Sequence, residues 1–146
     1  MFRTVLLTVV VLCLVQGCET PAKVIRTPSL GHVSTSAVGD FIYRYENIPA
    51  WSPNPFGGPG VKHGNQYSYE LLYDGVSKGT LRLSYREFVN DMARPSFTQQ
   101  STYDMAPGKK TVITFKGAKI EVVSADNNEI KYNVLQGFSN ETRTVK

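Results

Sequence analysis

Tyr67-Ser-Tyr-Glu-Leu-Leu-Tyr73, Asp74-Gly-Val-Ser-Lys-Gly79 and Thr80-Leu-Arg-Leu-Ser-Tyr-Arg-Glu-Phe88 follow one another without a break. Their reading decides the fold. Tyr67, Tyr69, Leu71 and Tyr73 recur at every second position, as do Leu81, Leu83 and Tyr85. A period of two belongs to a strand, whose successive side chains point to opposite faces. Asp74-Gly75 and Lys78-Gly79 supply turn residues, so the stretch predicts a β-hairpin. With Leu71 opposite Leu83, both apolar rows share one face, and Glu70 lies within reach of Arg82 and Arg86 on the wet face. A lone hairpin is marginally stable, so further strands must cover it.

The neighbouring segments repeat the pattern. Phe41, Tyr43 and Tyr45 alternate with Ile42, Arg44 and Glu46. Ile113 and Phe115 are odd-numbered, whereas Ala118, Ile120 and Val122 are even. Gly117 lies between them, where a bulge or a corner between sheets is expected. Asp126-Asn127-Asn128 closes a last hairpin, with Val122 placed opposite Ile130 and Glu121 opposite Lys131. Ser84-Tyr85-Arg86-Glu87 also matches a helix start. The alternation through Leu81, Leu83 and Tyr85 favours strand instead. The count is about seven strands with no long helical period. The expectation is an all-β antiparallel β-sandwich over residues 39–136, with a small β-barrel as runner-up. Leu71, Leu83, Ile120, Val122, Ile130 and Val134 should form its core. The tail 137–146 is polar and expected to fray.

Residues 47–65 interrupt the alternation with Pro49, Pro53, Pro55 and Pro59 and four glycines. Prolines at this density cannot donate to a ladder, so a long loop is expected. Trp51 and Phe56 lie in it, and large aromatics usually bury, so they should pin the loop to the domain.

The chain has 146 residues, enough for one domain with a core. Its first 17 residues read as an export signal: Arg3, then an apolar run ending at Gln16-Gly17. A membrane span needs about 20 apolar residues, more than this run offers. Val15-Gln16-Gly17-Cys18 resembles the lipobox of bacterial lipoproteins. Val15 stands for the usual leucine, and Gln16 for the usual small residue. The resemblance implies cleavage before Cys18, acylation of that cysteine and anchorage in the cell envelope. Glu19, not aspartate, follows Cys18, so by the same resemblance the outer membrane facing the periplasm is implied. Residues 18–38, rich in Ser, Thr and Pro, are expected to be a flexible tether in which Val24-Ile25 and Leu30 form at most a short edge strand.

Loss of the signal removes Cys13 and Arg3, leaving fifteen basic against twelve acidic side chains, a net of +3. The mature chain would carry no free thiol once Cys18 is acylated, so no disulfide or cysteine metal site is expected. A small, dispersed positive excess does not describe a nucleic-acid surface. His32 and His63 have no ligand-spaced partners, so neither a metal nor another cofactor is expected. Glu87 and Asp91 alone suggest acid–base chemistry, and nothing else supports it. The expectation is therefore a non-catalytic, membrane-anchored domain that binds an envelope protein partner or stabilises an assembly. The alternative is a module for glycan or a small ligand. Recognition would fall to Trp51 and Phe56 in the loop, or to Tyr85, Arg86, Arg94 and Tyr103 around the connection after the central hairpin.

Overall fold

The computed structural model describes residues 19–93, 98–105, 108–139 and 141, and it is all-β. The first strands are β1 (Lys23–Thr27), β2 (Val33–Ala37), β3 (Phe41–Ile48), β4 (Trp51–Ser52) and β5 (Val61–Lys62). The central hairpin is β6 (Tyr67–Ser77) and β7 (Thr80–Val89), followed by β8 (Met92–Ala93) and β9 (Gln99–Asp104). The chain then forms β10 (Thr111–Phe115), β11 (Ala118–Ala125) and β12 (Glu129–Gln136).

One antiparallel sheet runs β1-β3-β6-β7, with both β8 and β9 paired to the far side of β7. The other runs β10-β11-β12-β2. The two pack as a β-sandwich, and among the described residues no pairing closes them into a barrel. Tyr69, Leu71, Tyr73, Leu81, Leu83 and Tyr85 face inward from the large sheet. Ile113, Phe115, Ile120, Val122, Ile130 and Val134 meet them from the small one. All six residues expected in the core are buried.

Register departs from expectation. Leu71 lies opposite Tyr85, and Leu83 lies opposite Tyr73, a displacement of one residue pair. The turn is only Lys78-Gly79, both with positive φ, the geometry that matches strand twist in a two-residue hairpin. Asp74-Gly75 is a bulge within β6, not part of the turn. A two-residue turn switches the inward row from odd to even numbers, and the bulge's extra residue switches it back. Leu71 and Leu83 therefore share a face as expected, through two devices that cancel. Gly117 has the same explanation without the bulge. Lys116-Gly117 is a two-residue turn of positive φ joining Phe115 to Ala118, so parity changes there with no corner. In the last hairpin a bulge at Val123 moves Val122 opposite Tyr132 and Glu121 opposite Asn133. Glu121 instead pairs with Lys110 at 3.1 Å. Residues 85–89 are strand, and Asn90-Asp91 makes the turn into β8.

The first and the last of the described segments are built into the sandwich. The stretch expected as a tether supplies β1, the edge of the large sheet beside β3, and β2, the edge of the small sheet beside β12. At the other end, the segment expected to fray places Phe138 in the core against Tyr43, Tyr69 and Tyr85. Three residues later Glu141 is buried as well. Residues 142–146 lie outside those described.

Candidate functional site

Tyr85 and Arg86 are neighbours in β7, so they point to opposite faces. Tyr85 is fully buried. Its hydroxyl donates to Glu87 Oε1 at 2.7 Å, and Lys116 Nζ lies 4.0 Å above its ring. Lys116 also pairs with Glu87 at 3.2 Å, so the cation roofs the ring and closes that end of the core. Tyr85 offers a partner no surface.

Arg86 faces outward opposite Glu70. Glu70 makes its ion pair with Arg44, at 3.6 Å, rather than with Arg86. Arg82 donates weakly to the Asp74 carbonyl at 3.4 Å. Arg82 and Arg86 line a polar depression of about 410 Å³ with Asp74, Ser84, Gln100 and Thr102. Strands β7 and β9 do pair, with Tyr85 opposite Gln99 and Tyr103 opposite Leu81. Tyr85 and Tyr103 thus stand four residues apart along the ladder, roughly 13 Å. The Tyr103 hydroxyl donates to the Thr114 carbonyl at 2.9 Å, tying β9 to β10. Burial raises its pKa. Arg94 lies outside the described residues, as does Cys18. Tyr85 and Tyr103, two members of the expected recognition group, are thus held apart along the ladder. Among its described members, the two tyrosines perform structural work and Arg86 is on the wet face.

The carboxylates raised as acid–base candidates have other partners. Glu87 accepts from Tyr85 and Lys116, while Asp91 Oδ1 accepts from Gln66 Nε2 at 3.3 Å. Glu141 has the most elaborate surroundings, and sequence reading missed it. Its Oε1 accepts from Tyr43 Oη at 2.7 Å and from the Phe138 amide at 2.8 Å. Its Oε2 meets Arg26 Nε at 2.9 Å. Burial, and then the bond to Glu141, push the Tyr43 phenol far above its usual pKa. The bond to Glu141 likewise raises the pKa of Arg26. This satisfied cluster, buried except at Arg26, joins Phe138 and Glu141 to β1 and β3.

The proline-rich segment is not loop throughout, since it contains the short ribbon of β4 and β5. Trp51 and Lys62 are opposite one another. Trp51 is 38% exposed, and its indole lies against Gly60, where any Cβ would collide with the ring. Phe56 does not pin the segment: it is 96% exposed. Asn54 explains why. Its side chain accepts the Phe56 amide at 3.0 Å and its carbonyl accepts the Gly57 amide at 3.2 Å. Together with the preset φ of Pro55, this builds a turn with Phe56 at its tip.

The outer face of the small sheet carries Val33, Val112, Val123 and Leu135, all exposed, among Lys119, Lys131 and Glu121. Comparison with known protein families, with curated proteins and with solved structures finds no match for this chain.

Proposed function

We propose that the chain is a lipid-anchored cell-envelope protein whose β-sandwich binds a protein partner or stabilises an assembly, without catalysing a reaction. The anchor is Cys18, behind an export signal, and the implied site is the outer membrane facing the periplasm. The observation that favours a protein partner over a glycan is where the tyrosines go. Of eight, six are buried between the sheets and the other two, Tyr67 and Tyr103, are partly buried against the same core. A glycan platform needs exposed flat rings converging on a concave surface, and these rings are spent on packing. Partner binding is supported by the exposed valines and Leu135 on the small sheet, since apolar side chains grouped on one face mark interaction surfaces.

The experiment is mild crosslinking in cells followed by purification of the anchored form. One envelope protein should be recovered repeatedly, and Val112→Glu with Leu135→Glu should lose it while leaving the melt intact. Recovery of that protein by the double variant at the original level would remove this face from the reading. Cys18→Ser should leave the chain unprocessed or released from the membrane. Normal processing and full detergent-phase partitioning of that variant would refute the anchor.

A further inference from the structure

Glu19 and Thr20 are fastened to the proline-rich segment. Thr20 and Trp51 exchange both backbone hydrogen bonds, each at 2.9 Å. Ser52 Oγ donates to Glu19 Oε1 at 3.5 Å and lies 2.7 Å from His63 Nε2. Cys18 is one peptide unit before Glu19, and consecutive Cα atoms are about 3.8 Å apart. No slack remains between the proposed lipid and the β4–β5 ribbon.

We propose that this ribbon and the Phe56 turn form a lipid-facing surface that lies against the headgroup layer of the bilayer. The inference rests on the proposed acylation of Cys18. An acylated residue sits at the boundary between headgroups and chains, so groups within a few residues of it are held at that depth. The side chains there suit that depth. Trp51 has an apolar ring with one polar N–H, the chemistry enriched at membrane interfaces. Lys62, directly opposite it, offers a cation to lipid phosphate. Phe56 stands almost wholly in water on a turn built to present it. A bilayer removes this apolar surface from water without any protein partner. The sandwich then rests on the membrane in one orientation instead of swinging from a tether.

Trp51 is the only tryptophan, so its fluorescence reports this surface alone. The processed, full-length protein is reconstituted into vesicles of phosphatidylethanolamine and phosphatidylglycerol, and intact mass establishes whether Cys18 is acylated. The Cys18→Ser chain in buffer is the reference. On vesicles, Trp51 emission should shift to the blue, acrylamide quenching should fall severalfold, and lipid brominated near the glycerol backbone should quench it. Phe56→Asp should restore much of the acrylamide quenching while the protein still floats with the vesicles. If acylated protein floats but Trp51 is quenched as freely as the reference, the ribbon faces away; the anchor stands and this inference falls. If Cys18 carries no acyl group and the protein stays off the vesicles, anchor and inference fall together. Protection that arises only when envelope proteins are added also overturns it, in favour of a protein cover.

Discussion

Tyr43 donates its hydroxyl to Glu141 Oε1 at 2.7 Å from 98 positions away in sequence, and both groups are buried. The same carboxylate takes Arg26 on its other oxygen. A carboxylate buried without these donors would be costly, so the cluster holds only while all its members are present. Glu141→Ala should lower stability by about 2–3 kcal/mol, the worth of a hydrogen bond to a charged group plus an orphaned donor. Gly137→Ala should also destabilise, because a Cβ there collides with the Glu141 carboxylate and the Tyr43 hydroxyl. Urea midpoints measure both. An unchanged midpoint for Glu141→Ala would show that the C-terminal segment does not hold the sandwich.

Phe138 brings an aromatic ring to the same end of the core, tilted against Tyr43 at 5.1 Å and edge-on to Tyr85 at 5.6 Å. Phe138→Ala should cost about 3–5 kcal/mol, and Leu83→Ala about 2–5 kcal/mol. A tail that merely frays predicts no loss for the first and full loss for the second, so comparing the two melts separates the cases.

Alkaline pH should weaken the fold. Burial, then Glu141, raises the Tyr43 pKa; burial is the largest cause for Tyr73, Tyr103 and Tyr132 as well. Phenols in the unfolded chain titrate near about pH 10. The folded state keeps its protons longer, so it binds more protons above that pH, and stability falls as pH rises from there. Below it the contribution is fully present. Phenolate absorbance should therefore rise together with loss of near-ultraviolet circular dichroism, and Tyr43→Phe should make the alkaline loss shallower. Complete phenol titration at the ordinary value, with the fold intact, would contradict this.

The bulge at Asp74-Gly75 has a sharper test. Gly75 has φ 92°, and Asn127 Oδ1 accepts the next amide, Val76, at 3.2 Å. Gly75→Ala should cost about 1–2 kcal/mol from the left-handed backbone alone. Deleting Gly75 removes the second parity switch, so either the Tyr69-Leu71-Tyr73 row or the Leu81-Leu83-Tyr85 row must turn to solvent. No cooperative unfolding transition should remain. A deletion variant that melts as sharply as the parent would show that the turn can absorb the change.

The sequence by itself determined the fold class and the inward faces. Alternation is a local property: each peptide reverses the side-chain direction, so Leu71, Leu83, Ile120 and Val134 declare their face without reference to any partner. Register was beyond it, because pairing depends on how many residues each turn and bulge consumes. Asp74-Gly75 and Lys78-Gly79 look alike as sequence, yet one is a bulge and the other a turn. Of the edge strands, β1 was legible only as a short edge strand at Val24-Ile25 within a tether and β2 not at all, for a related reason. They are covered on few sides, so Lys23–Thr27 and Val33–Ala37 are mostly exposed and carry only a weak apolar pattern. The candidate site shows the same division. The turn residues around Phe56, Trp51 as an aromatic within the proline-rich segment, and the resemblance to a lipobox at Cys18 were each legible in the sequence. That Trp51 pairs with Thr20, that Tyr85 is roofed by Lys116, and that Glu141 finds Arg26 and Tyr43 was decided by tertiary structure alone. Those contacts join positions far apart in the chain, and only packing brings their chemistry together.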